Sequence, residues 1–378
     1  MRILFVSDLF WPLIGGIEVW SARVVTGMAA RGHEVRVVAS RGDAGLPERD
    51  DLEGVEIERL EFRTAVEERR LDRFGEALAK FKRIKREFAP GVIHLGTVGW
   101  STVFHLLSRD AWAAPWLVTL TQQRLASQAS SKDTVLGRAL DSADWVSSVS
   151  GAVLDQAVEL SPGIARRSSV DYWGMPAPPE GSPPSCDPPR VLCVGRLVPA
   201  KGFDLAVEAL PALARRHPGM TLAIAGDGLE RARLERLARE TGVGDRVSFE
   251  GWISPERVCA RMSEASVIVL PSHQEGLPVV AIEAAWSGRP VVAANVSGMA
   301  EGVEHGRTGL LVPAGDRDAL ARAIDEIVSD PGRARRMGSE ARRLATERFS
   351  LESMLNAYES LYERLVSRWS ASSERSRH

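Results

Sequence analysis

Residues 190–226 read RVLCVGRLVPAKGFDLAVEALPALARRHPGMTLAIAG. RVLCVG (190–195) is a continuous apolar run closed by glycine, the pattern of a strand buried on both faces. Residues 203–216 place apolar side chains at helical spacing, and TLAIAG (221–226) repeats the strand pattern. That is one strand–helix–strand unit. The alternation then continues, with a helix over 228–240, strand RVSFEG (246–251), a short helix from Ser254 and strand SVIVLP (266–271). A helix from Pro278 to about Ser287, strand PVVAAN (290–295), a short LLV strand (310–312) and helices over 316–369 complete it. Such alternation predicts an α/β fold with a mostly parallel, doubly wound sheet.

The first half carries a similar, weaker pattern. RILFVS (2–7) reads as a buried strand. A loop ending in Gly15-Gly16 leads to a helix marked by Ile17, Trp20, Val24, Val25 and Met28 and stopped at Gly32, and EVRVVA (34–39) is the next strand. The pattern fades between 41 and 90, apart from a basic helix over 73–88. VIHLG (92–96), WLVTLT (116–121) and WVSSVS (145–150) are further strands. Seven of the 21 prolines fall between Pro176 and Pro189. Proline fits neither a ladder nor a helix interior, so this stretch is read as a linker. The expected organisation is a Rossmann-like domain over 1–175, the linker over 176–189, and a second Rossmann-like domain over 190–350. A helix over 351–378 is expected to pack back toward the first domain, with WSASSERSRH frayed.

At 378 residues the chain is long enough for two domains, each able to bury a core without metal or disulfide. A net charge of −2 argues against nucleic-acid binding, which calls for a basic excess. Cys186, Cys193 and Cys259 form no CxxC pair, which fits a reducing, cytoplasmic setting. No apolar run reaches the roughly 18–20 residues of a membrane helix, and MRILFVSDLFWP is read as a first strand rather than a signal peptide.

Two doubly wound domains would form a cleft at the carboxyl ends of their strands, so chemistry is sought in the loops after strands. PSHQEGLPVVAIE (271–283) places Glu275 in such a loop, Pro278 in the first turn of the next helix and Glu283 deeper inside it. Glu275 and the amides of Gly276 and Leu277 would converge where a helix N-terminus favours oxygen-rich ligands. Glu283 lies in an apolar run, where ligand hydroxyls could supply its donors. A capping Glu275 and a solvent-reaching Glu283 are the plainer alternative. GRLVPAKG (195–202) flanks a loop with Arg196 and Lys201, a pair suited to a diphosphate or simply two solvated charges. Gly15-Gly16 could approach a phosphate or only make a tight turn. Asp316-Arg317-Asp318 opens a helix and reads as a cap rather than a metal motif. The seven histidines show no metal-ligand pattern; His94 and His105 face a cleft or are core residues, and His273 is close enough to Glu275 to approach a ligand.

Taken together, Gly15-Gly16-Ile17-Glu18, RGHEV (31–35), GRLVPAKG, AGDG (225–228), the Glu275–Glu283 spacing and TGLLV (308–312) resemble the retaining, nucleotide-sugar-dependent glycosyltransferases of family 4, which have the GT-B fold. The resemblance spans nearly the whole chain and is strongest over 190–365. It implies a donor linked to UDP, GDP or dTDP, no cofactor and no metal. Arg196 and Lys201 then match the cations on the diphosphate. Glu283 matches the carboxylate on the ribose, and Glu275 with Gly276 and Leu277 matches the contacts to the transferred sugar. Gly15 and Gly16 match the loop near the diphosphate, Gly226 and Pro278 fall on the donor side, and Trp252 and Ile253 lie near the base.

Asp8, Thr121 and Gln122 match the acceptor side. Two positions depart from the family's pattern. Thr121 stands where many relatives have His, and DYWGMP (171–176) replaces an Asn-Gly. The acceptor is therefore left open as a small molecule, a glycan or a lipid-linked compound. An epimerase or hydrolase of the same fold, and a catalytically weak nucleotide-sugar-binding relative, stand as alternatives. The basic helix 73–88 reads either as a solvated face or as a contact for anionic lipid at the inner face of a membrane.

Overall fold

The computed structural model describes residues 1–375 except 14, 42–44, 69, 122–133, 179–180, 276–277 and 297. The chain divides into two units, Met1–Gly174 with Leu351–His378, and Met175–Ser350.

The second unit is built on a six-stranded parallel sheet. Its strands are β9 (Arg190–Val194), β10 (Thr221–Ala225), β11 (Val247–Gly251), β12 (Val267–Leu270), β13 (Val291–Ala294) and β14 (Gly309–Val312), ordered β11-β10-β9-β12-β13-β14. Strand order thus reverses between β9 and β12, which is the switch point of a dinucleotide-binding fold. Alternate residues of β9 serve two cores. Val191 and Cys193 pack with helices Phe203–Arg216 and Arg317–Val328 on one face. Leu192 and Val194 pack with Ala281 and Ala284 of helix Val279–Trp286 on the other. Burial on both faces is why these strands read as unbroken apolar runs.

The stretch 176–189, expected as a linker, groups with this unit and is tied to it. The fully buried Arg289 donates to the carbonyl oxygens of Ser182, Met262 and Ser263 at 2.6, 2.9 and 2.5 Å, and Arg342 donates to that of Pro178 at 3.1 Å. Asp316 accepts from the amide of Ala319 at 2.8 Å, so the Asp-Arg-Asp triplet does cap a helix.

The first unit has an eight-stranded sheet. Its strands are β1 (Arg2–Ser7), β2 (Glu34–Ser40), β3 (Arg49–Leu52), β4 (Val55–Leu60), β5 (Val92–Leu95), β6 (Trp116–Leu120), β7 (Trp145–Ser148) and β8 (Ser168–Val170), ordered β3-β4-β2-β1-β5-β6-β7-β8. All pairs are parallel except the β3–β4 hairpin. That hairpin lies in the stretch where the sequence pattern fades, and β8 lies outside every sequence-predicted strand.

Helix Leu351–Arg375 completes this unit. Met354, Leu355, Tyr358, Leu361, Tyr362 and Leu365 recur at helical spacing, and all are buried. Tyr362 bonds His94 Nδ1 at 2.6 Å, while His94 Nε2 meets Thr119 Oγ1 at 2.7 Å. His94 is thus a satisfied core residue, and burial pushes its pKa down to about 3. His105 is also buried and lies beside Lys85 Nζ, 3.2 Å from its Nδ1. The ending expected to fray stays helical to Arg375.

The basic helix, Leu71–Phe88, presents few bare cations. Lys80 pairs with Glu48 and Glu58, Lys82 with Asp110 at 2.9 Å, and Arg73 with Glu68 at 3.5 Å; Lys85 is inside the fold. No helix among the described residues is long and apolar enough to cross a membrane.

Candidate active site

The loops after β9 and β12 meet at the switch point of the second sheet. The chain leaves β9 through Gly195 and Arg196, makes a single turn over Pro199–Lys201 and enters helix Phe203–Arg216 at Gly202. Gly202 has φ 61°, and a Cβ there would run into the carbonyl oxygen of Pro271, just past β12. Glycine is what lets the two loops approach this closely. The amide of His273 then donates to the carbonyl of Ala200 at 2.9 Å.

This contact brings Lys201 onto Glu275. Lys201 Nζ lies 2.5 Å from Glu275 Oε1, and Ser272 Oγ donates to the same oxygen at 2.7 Å. The two charged side chains are mostly shielded, 24% and 14% exposed, and Ser272 is buried. Lys201 and Glu275, assigned from sequence to the diphosphate and the sugar separately, form one ion pair. Arg196 stands exposed at the edge of the same loop.

Pro278 heads helix Val279–Trp286, and Glu283 is half-buried within it. Burial first, then the carboxylates of Glu283 and Glu256, push the Cys259 thiol up. Gly276 and Leu277 lie outside the described residues.

The loop after β10 is laced to the loop after β9. Gly195 N donates to Ala225 O at 3.0 Å, and Leu197 N to Asp227 O at 2.9 Å. Gly226 has φ 142°, and a Cβ there would overlap the carbonyl oxygen of Gly195. Glycine at 226 therefore has a backbone reason independent of any ligand. Beyond β11, Trp252 is 67% exposed, while Ile253 packs partly against the core beneath β12 and β13. An indole left this open at the carboxyl end of a parallel sheet offers a flat apolar face.

In the first unit Gly15 is extended at the start of helix Gly16–Ala30, with Glu18 folded against it. Asp8, assigned to the acceptor side, accepts from the amide of Ser101 at 2.7 Å and so serves the N-terminus of helix Trp100–Leu107. Burial raises its pKa. Thr121 is half-buried just past β6, two residues beyond the Thr119 that bonds His94. Gln122 lies outside the described residues. No three or more His, Cys, Asp and Glu side chains among the described residues cluster as metal ligands.

Sequence reading passes over Ser272, although the Ser-x-x-Glu spacing to Glu275 is that of a local side-chain pair. It also cannot pair Lys201 with Glu275, because that contact depends on β9 lying beside β12.

The family profile "Glycosyl transferases group 1" matches residues 179–344, and "Glycosyl transferase 4-like domain" matches residues 15–173. The chain is 31% identical to the glycogen synthase of Mycobacterium tuberculosis, over 96% of this chain and 94% of that protein. It is 37% identical to the GDP-mannose-dependent alpha-(1-6)-phosphatidylinositol monomannoside mannosyltransferase of the same organism, over 44% of this chain and 45% of that one. Among solved structures, sucrose-phosphate synthase from Thermosynechococcus elongatus superposes with a TM-score of 0.79 at 27% identity, covering 97% of this chain and 99% of that one. The chain belongs to the group 1 glycosyltransferases, enzymes of the GT-B fold that use nucleotide-sugar donors.

Proposed function

We propose that this chain is a retaining hexosyl- or deoxyhexosyltransferase that passes the sugar of a nucleotide-diphosphate donor to an acceptor hydroxyl without a metal ion. The observation that carries the reading is the Lys201–Glu275–Ser272 cluster at the switch point of the second sheet, with Arg196 beside it. Breaking the anomeric C–O bond leaves negative charge on the nucleoside diphosphate. A cation at each end of one short loop, Lys201 held by Glu275 before reaction and Arg196 exposed beside it, supplies the positive field that such a leaving group needs. Glu275 accepts from a sugar hydroxyl and Glu283 from the ribose. The exposed face of Trp252 receives the base. Retention follows if the acceptor attacks from the leaving group's side and the leaving phosphate takes its proton. The names of the mycobacterial relatives, a glycogen synthase and a GDP-mannose-dependent mannosyltransferase, support a hexosyl donor. The three free cysteines support a reducing, cytoplasmic setting.

The test is a panel of UDP-, GDP-, dTDP- and ADP-sugars incubated with the purified chain, with and without a crude acceptor extract. The expected result is nucleoside diphosphate release that depends on the extract, with the product's anomeric configuration unchanged by NMR. Equal release without the extract would point to a hydrolase or epimerase and overturn the reading. A silent panel, joined to no thermal stabilisation by any of the free nucleoside diphosphates, would overturn donor binding itself.

A further inference from the structure

Two donors hold one oxygen of Glu275. Among the described residues, Lys201 Nζ at 2.5 Å and Ser272 Oγ at 2.7 Å are the groups that donate to its carboxylate, and both go to Oε1. They differ in what else they can do. An ammonium has three protons on a flexible stem and is strongly drawn to phosphate. A serine hydroxyl has one proton, and Ser272 is buried at 2% exposure directly after β12 and Pro271. Its proton is spent on Glu275. When an anionic diphosphate draws on Lys201, the ammonium divides its protons between phosphate and carboxylate, while the hydroxyl stays wholly on Glu275.

We propose that Ser272 is a positioning residue: it holds Glu275 Oε1 in place when Lys201 is shared with the diphosphate, and so presents Oε2 to the transferred sugar. This rests on the donor-site reading above and gives it an internal division of labour. Lys201 serves the leaving group and Glu275 together. Ser272 serves only the sugar, through Glu275. Loss of the hydroxyl should therefore be felt by the intact nucleotide sugar and not by the free nucleoside diphosphate, which has no sugar to orient.

The experiment compares Ser272→Ala, Ser272→Thr, Glu275→Ala and the double variant Ser272→Ala/Glu275→Ala. The readouts are kcat/KM for the nucleotide sugar and the affinity for free UDP and GDP by calorimetry. Removing a hydrogen bond to a charged group should lower kcat/KM about 10–100-fold in Ser272→Ala. Affinity for the free diphosphate should stay unchanged. Ser272→Thr, which keeps the hydroxyl, should recover most of the loss. In the Glu275→Ala background the Ser272 change should add no more than about twofold, as for a residue that acts through its neighbour.

Should the alanine variant be unstable, Ser272→Cys keeps the size with a much weaker donor and gives the same comparison. The proposal fails if Ser272→Ala weakens free diphosphate and nucleotide sugar alike, or if its penalty is undiminished without Glu275. If Glu275→Ala is itself fully active, the donor-site reading fails and this proposal with it. If Glu275→Ala is impaired while Ser272→Ala is not, only this proposal fails.

Discussion

Replacing Lys201 with methionine keeps most of the length of the side chain and removes its charge, and the structure says this should hurt more than removing Arg196. Two losses combine at Lys201. The first is a preorganised cation beside the leaving diphosphate, and losing one such group costs about 10²–10³ in turnover. The second is the ion pair to Glu275, whose carboxylate is 14% exposed and keeps only Ser272 as a donor among the described residues. A charge-assisted hydrogen bond is worth about 1.5–3 kcal/mol; with Lys201 a quarter exposed, about 1–2 kcal/mol is reasonable, a further factor of about 5–30.

Arg196 is exposed and makes no ion pair with a described residue, so Arg196→Ala suffers the first loss alone. The expectation is a kcat/KM lowered about 10²-fold in Arg196→Ala and at least 10³-fold in Lys201→Met. Initial rates at saturating acceptor, with melting temperatures to confirm folding, measure both. In the Glu275→Gln background the Lys201→Met penalty should shrink, because the second loss has already been taken. Equal effects at Lys201 and Arg196, or a Lys201→Met enzyme within tenfold of the parent, would refute the reasoning.

Three further outcomes follow from the structure. Transfer should survive EDTA, since Arg196 and Lys201 provide the positive charge; abolition by chelator and rescue by a divalent ion would contradict this. Burial lowers the Lys85 pKa from 10.5 to about 7, so the folded state holds fewer protons than the unfolded one between those values. Stability should rise with pH across that window, and a burial cost of about 5 kcal/mol is fully present below pH 7. Lys85→Met gives up three hydrogen bonds, two to Ser108 and one to His105, about 1 kcal/mol each, yet should still gain about 2 kcal/mol at pH 7 and flatten the slope; a lower melting temperature at pH 7 would contradict it. Gly226→Ala, forced against the Gly195 carbonyl oxygen, should lose about 2–3 kcal/mol and weaken diphosphate binding, as calorimetry and thermal melts would show.

Much of the fold is legible in the sequence because parallel strands buried on both faces leave unbroken apolar runs such as RVLCV and VIVL. The hairpin strand RDDL is not, because it sits at the sheet's edge and keeps polar side chains. The three-residue strand SSV is missed for its shortness and its own edge position. At the site, residue types and loop positions can be read from spacing alone, as with Arg196, Lys201 and Glu275. Their pairing cannot, since Lys201 and Glu275 are 74 residues apart and meet only through the strand order. Asp8 shows the same limit. Its partner is an amide 93 residues on, at the head of a helix that no sequence pattern ties to the loop after β1.

The helix Leu351–Arg375 has a consequence for how the chain is made. It supplies Tyr358 and Tyr362 to the interior of a unit whose other residues, Met1–Gly174, leave the ribosome first. The whole of Met175–Ser350 is synthesised in between, which at about 5–20 residues per second takes roughly 10–35 s. For that interval the face around Trp20 and His94 lacks its tyrosines. A nascent first half would therefore wait with an uncovered aromatic surface, a substrate for a holdase chaperone, while the second unit can close on its own contiguous stretch. A stop codon just ahead of Leu351 would thus damage the unit encoded before Met175.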